Sequence, residues 1–260
     1  MLKKLLAGLL AAMLVVSVTG CDRTVPVPPP GDDTSAASTA SGEDMLADSA
    51  LTNDQIHALA FGAVLGMRND MDYKTLAGLP DSYIPDFKEG LEESWDVIDH
   101  ATAIETLEWL KTEGHRLFYY DDAYNIYMGR EETNDELNDF FKAEIDACQP
   151  VYDTLKEDYG YTDEELQNVN TTAAWDYDRM VTVARWCYFV GYISEDEAWT
   201  YINTAVEMAK ADYTSWREYF AGVLYGRTMF SEAIAVSVAD KNIADALLLD
   251  ENSIYNAVAF

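Results

Sequence analysis

The sequence predicts an all-α protein, a single compact multi-helix domain behind a cleaved signal peptide and a disordered tether. Three observations point there. No stretch shows the strict apolar–polar alternation of a half-buried strand. Capping boxes, a Ser or Thr followed three residues later by Glu or Gln, recur at Thr52 and Gln55, Thr162 and Glu165, and Ser194 and Glu197. Glycines suited to ending helices fall between them, at Gly114 and Gly191. These stops follow no repeat period, which favours one domain over a solenoid.

Residues 1–20 read as a signal peptide. Lys3 and Lys4 supply the positive start, and residues 5–18 are an unbroken apolar and small run. That run is too short to span a bilayer comfortably. It ends in Val18-Thr19-Gly20-Cys21, which resembles a bacterial lipobox. The resemblance implies cleavage before Cys21 and lipidation of its thiol, an anchor of the palmitate kind. The product would sit at the cell membrane or envelope, facing outside the cytoplasm. Asp22 is similar to the retention signal of bacteria that sort lipoproteins between two membranes. Residues 21–50 hold four of the seven prolines, with Ser, Thr, Ala, Gly and Asp. Such a segment cannot bury a core and serves as a tether, spanning roughly 30 Å root-mean-square.

Residues 51–260 form the body. Helices are expected over 52–67, then briefly up to 94 after a loop at 79–85. Further helices are expected over 99–113, 116–128, 134–158, 172–190, 194–211 and 215–230, with a short last one over 243–249. Gly62 and Gly66 would let a neighbouring helix approach closely. Cys148 and Cys187 are both expected on apolar helices, where a disulfide and two plain core thiols are alternatives.

The chain carries 17 basic and 47 acidic residues, a net charge of −30. Losing Lys3 and Lys4 takes this to −32, and the body alone carries −27. No basic stripe is available to track phosphates, so nucleic acid is excluded as a partner. Anionic lipid would repel the body, which leaves membrane attachment to Cys21. No cofactor is implied, because phosphate loops, nucleophile elbows and zinc-protease motifs are all missing. The calcium-loop spacing of acids from Asp121 to Glu132 fails, since Ala123 takes a ligand place and Ile126 the turn glycine's place.

The helix predicted over 172–190 raises the functional question. Asp176 shares a stripe with Met180, Val183, Cys187 and Val190, which should face the core. Arg179 follows three residues on, close enough to pair with it. Asp178, Thr182 and Arg185 make the only fully polar face. Glu195 and Glu197 read instead as first-turn acids that complement a helix dipole.

At these residues "AWDYDR", "GYISEDEAW" and "SWREYFAGVLYGR", with the earlier "SWDVIDHATAIETLEWLKTEGHR", resemble the domain of unknown function (DUF) 1266 family. The likeness runs over about residues 55–255. Its positions include Trp95, Gly114, His115, Arg116, Trp175, Asp176, Arg179, Trp199, Trp216, Gly226 and Arg227. The ending "DENSIYNAVAF" departs from the family's Ser-Pro-Trp ending. The resemblance implies a fold and no activity.

His115, Arg116, Asp176, Arg179 and Arg227, beside Trp175 and Trp216, form the candidate constellation. As a binding module, these groups would grip a protein or peptide. As a hydrolase-like enzyme, His115 would be acid and base, Asp176 its orienter, and the arginines an anion clamp. As architecture, they would be a buried ion-pair network that fixes helix docking. His57 and His100 read as surface or packing residues. The sequence favours a lipid-anchored binding module at the membrane surface, with the hydrolase as the alternative.

Overall fold

The helix that poses the question is the centre of the molecule. In the computed structural model, which describes residues 49–260, it runs from Ala174 to Phe189, and every residue from Ala174 to Cys187 is buried. A helix buried on all sides belongs in the middle of a bundle rather than at its surface. The expected signal peptide, Cys21 and the tether up to residue 48 lie outside the described residues.

In chain order the helices are α1 (Asn53–Ala60), α2 (Ala63–Arg68), α3 (Ile84–Trp95), α4 (His100–Thr112), α5 (Asp121–Tyr127) and α6 (Asp135–Phe140). They continue as α7 (Lys142–Glu157), α8 (Asp163–Asn168), α9 (Ala174–Phe189), α10 (Glu195–Asp212) and α11 (Trp216–Phe230). Last come α12 (Val238–Ala244) and α13 (Ile254–Ala257). Among the described residues there is no strand, and the helices share one hydrophobic core. Around α9 pack α4, α10, α11 and α2, while α7 lies against α11 and α5.

The three capping boxes form, at Thr52, Thr162 and Ser194, and Asp99 caps α4 in the same way through Thr102. Gly114 and Gly191 adopt φ of +61° and +81°, the left-handed conformation that ends a helix at little cost for glycine.

Four boundaries differ from expectation. The helix expected over 52–67 breaks at Phe61 and Gly62 into α1 and α2. A Cβ at Gly62 would lie 2.6 Å from Val181 Cγ1, so α9 crosses there in near contact. The helix expected over 134–158 turns at Phe141, which is buried while Phe140 is left 42% exposed. Two successive aromatic rings cannot share one face of a continuous helix, and the turn releases them in different directions. Residues 116–120 form a π-helical turn ahead of α5, with the Tyr120 N–H donating to His115 O at 3.3 Å. The C-terminal helix starts earlier than 243, at Val238 under a Ser237 cap, and α13 follows a second π-helical turn over Asp245–Leu249.

Candidate functional site

Asp176 lies in the first turn of α9, 1% exposed, facing the turn that follows α4. Its two oxygens take four donors. The backbone N–H groups of His115 and Arg116 donate at 3.0 and 3.1 Å, and Arg116 Nη1 donates at 3.0 Å. Arg179, one turn along the same helix, donates from Nη2. Burial alone would raise this carboxyl, but Arg179 and Arg116 outweigh it and hold Asp176 below its ordinary value. Gly114 makes the approach feasible: a Cβ there would come within 2.2 Å of Asp176 Oδ2.

The carboxylate therefore holds the backbone of His115, not its ring. Arg179 Nη2 is the group at the ring, 2.7 Å from Nδ1. Because a guanidinium has no acceptor, Nδ1 accepts, and the neutral ring carries its proton on Nε2. Burial first and Arg179 second push His115 down to about 3, so the ring is neutral at neutral pH. It stacks on Tyr120 (centroids 5.2 Å apart, 16° between planes) and meets the edges of Trp109 and Phe230.

Both neighbouring arginines are committed. Arg116 also donates to the carbonyls of Leu110 (2.9 Å) and Lys111 (2.7 Å), satisfying the orphaned end of α4. Arg179 lies fully buried over the rings of Trp175, Trp109 and Trp95, with centroids 4.9, 5.8 and 5.9 Å away. Such cation–π contacts offset part of the desolvation cost of a buried guanidinium. Arg179 Nη1 and Trp175 Nε1 remain buried donors with no acceptor within reach.

Of the predicted site residues, the structure brings together His115, Arg116, Trp175, Asp176 and Arg179. Arg227 meets this cluster at Trp175, its guanidinium 5.5 Å from that ring, and donates to Asp240 at 2.7 Å. Arg68 meets the same Asp240 oxygen at 2.8 Å, which ties α2 to α11 and α12. Trp216 belongs elsewhere. It stacks on Tyr255 at 4.3 Å and donates to Val258 O at 2.8 Å, pinning the chain's ending to α11. A groove of about 400 Å³ lies next to it, lined by Asn53, Asp54, Ile56, His57, Lys210 and the last four residues. Its His57 is half-buried, whereas His100 lies on the surface and pairs with Glu197.

The polar face of α9 is as buried as the stripe beside it. Asp178 accepts from the N–H groups of Val64 (3.0 Å) and Leu65 (2.9 Å), serving the start of α2 from 114 residues away. Burial pushes this carboxyl up, to about 7, against the pull of those two donors. Thr182 donates to Gly62 O, and Arg185 donates to the carbonyls of Leu76, Asp72 and Thr75. These charges were not recognisable as interior groups from spacing, because their partners are backbone atoms and leave no mark in the side-chain pattern. Asp121 was missed because its partners, the Thr171 and Thr172 hydroxyls and the Thr172 N–H, lie 50 and 51 residues away in sequence. It accepts from Thr171 and Thr172, at 2.7 to 2.8 Å, just ahead of α9.

Cys148 and Cys187 are separate, buried free thiols. Among the described residues, no group of His, Cys, Asp and Glu is placed to hold a metal ion, and no helix is long and apolar enough to cross a membrane.

Comparison with known proteins adds a family and no activity. Neither the curated proteins nor the solved structures contain a match. A family described as "Protein of unknown function (DUF1266)" matches residues 90–260. The match starts later than the resemblance suggested and includes the altered ending. It takes in Trp95, the turn at Gly114, His115 and Arg116, all of α9, and the Trp216 and Arg227 helix. The chain belongs to the DUF1266 family.

Proposed function

We propose that the protein is a lipoprotein of the cell envelope, held on the outer side of a membrane by a lipid on Cys21, whose helical body binds a protein or peptide partner. The observation that carries this reading is the apolar run over residues 5–18 ending in Val18-Thr19-Gly20-Cys21, with a proline-rich, core-poor tether behind it.

The binding half is supported by how the candidate groups are used. Asp176, Arg116 and Arg179 hold one another and the backbone around them. A hydrolase would need an acid and base free to face substrate, whereas the His115 ring faces Arg179 and three aromatic neighbours. The body then offers partners its surface rather than this interior.

Growth on an alkyne-tagged palmitate tests the anchor. The wild-type chain should take the label and sediment with membranes, and Cys21→Ser should do neither. A wild-type chain that is unlabelled and soluble would contradict the proposal.

A further inference from the structure

The groove beside Trp216 is built from three parts of the chain that are each held in place. α1 lies against α10, and Ile56 of α1 lines the groove as a buried residue. The chain's ending forms the facing wall. Trp216 stacks on Tyr255 and donates to Val258 O, while the Phe260 ring lies 5.3 Å from that of Phe61 and 5.0 Å from that of Trp216. The His57 ring meets the same two rings, 5.4 Å from Phe61 and 6.1 Å from Trp216. Aromatic packing therefore fixes both walls. The volume between them, about 400 Å³, falls in the range of small-molecule sites.

Two opposite charges line this one groove. Asp54 stands in the first turn of α1, and Lys210 in the last turn of α10. Both are exposed, and among the described residues neither is ion-paired. The rest of the lining is largely apolar, with Ile56, Val258 and Phe260. His57 adds no second cation: burial and then Lys210 push it below its ordinary value, against the pull of Asp54, so the ring is neutral at neutral pH.

We propose that this groove binds a small zwitterion with an apolar side chain, an amino acid or a compound of that kind, whose carboxylate meets Lys210 and whose ammonium meets Asp54. The apolar side chain lies against Ile56, Val258 and Phe260. Charge complementarity selects this class. A simple carboxylate would bring its charge up to Asp54, and a simple amine would bring its charge up to Lys210. An uncharged apolar molecule would take water from both charges and give neither a partner. The site is one for a small molecule and stands whether or not the body also binds a protein.

Equilibrium dialysis of radiolabelled leucine against the mature full-length chain, in neutral detergent micelles, tests the site. Leucine should bind saturably with a Kd below about 1 mM. N-Acetylleucine lacks the ammonium and leucinamide lacks the carboxylate, so each should compete at least about tenfold more weakly. Asp54→Asn should weaken leucine about tenfold and leave N-acetylleucine unchanged. Lys210→Gln should weaken leucine by a similar factor and leave leucinamide unchanged. Lys88→Gln, on α3, should have little effect. Circular dichroism melts confirm that each variant is folded. An absence of saturable binding, or binding that neither groove variant alters, overturns the site. N-Acetylleucine or leucinamide competing as well as leucine overturns the zwitterion and makes the occupant a simple anion or a simple amine.

Discussion

Asp176 Oδ1 accepts the backbone N–H of His115 at 3.0 Å, across 61 residues of sequence. One buried carboxylate thereby sets the path of the chain leaving α4. It fixes which side chains of the following turn point inward, and so which ones are displayed outward.

Replacing Asp176 by Asn should destabilise the protein by about 3–5 kcal/mol, because Arg179 would be left buried with half its compensation. Urea unfolding of the wild type and the variant measures this. A difference below about 1 kcal/mol would mean that the network does not support the fold.

Gly114→Ala and Gly191→Ala separate strain from collision. Both positions have positive φ, but a Cβ at 191 meets nothing within 4 Å, whereas one at 114 meets the Asp176 carboxylate. The Gly191 change should cost about 1 kcal/mol from backbone alone. The Gly114 change should cost about 2–4 kcal/mol, since crowding adds to the backbone cost. Equal losses in chemical denaturation would show that the turn yields to the extra methyl.

His115 and Asp178 should give opposite pH dependences. From pH 6.5 down to about 3, the unfolded chain binds a proton that native His115 refuses, because burial and then Arg179 oppose it. Its contribution to stability is therefore lost as pH falls through that window. From pH 3.8 up to about 7, native Asp178 holds a proton that the unfolded chain releases, so its contribution falls as pH rises. Arg227 and Arg179 oppose that shift without cancelling it. The cost of His115→Gln should thus grow from about pH 4 to about pH 6.5, and that of Asp178→Asn should shrink over the same range, each by at most about 1.4 kcal/mol per pH unit. Parallel curves for the two variants would contradict both assignments.

Burial pushes the Cys148 thiol well above its ordinary value, and that of Cys187 to about 12. An alkylating reagent should label neither in the native protein and both after unfolding in guanidinium. Labelling of the folded chain at either position would place that thiol nearer the surface than it is here.

Much of this was legible before the structure, for identifiable reasons. Ser194, Thr162 and Thr52 announce their helices because capping is a contact between residues three apart. Asp176 and Arg179 were legible because a charge on an apolar stripe must find a partner nearby. Other features depend on contacts distant in sequence. Nothing around Asp178 predicts that it accepts from Val64 and Leu65, and nothing around Gly62 predicts the crossing of Val181 that breaks the first helix. Arg227 and Trp216 shared motifs with the cluster residues, but helical spacing sends Arg227 toward Asp240 and Trp216 toward the chain's ending. The exposed rings of Tyr119 and Phe140 were hidden for a third reason. A π-helical turn and a break at Phe141 change the periodicity from which inward and outward faces are read.

Amide hydrogen exchange at His115 and Arg116 bears most directly on the claim that Asp176 holds this turn. In the wild type both amides should be protected as strongly as neighbouring core amides, and in Asp176→Asn both should exchange markedly faster while the capped start of α10 is unchanged. Fast exchange at these two amides in the wild type, or identical protection in the variant, would show that the carboxylate does not hold the turn.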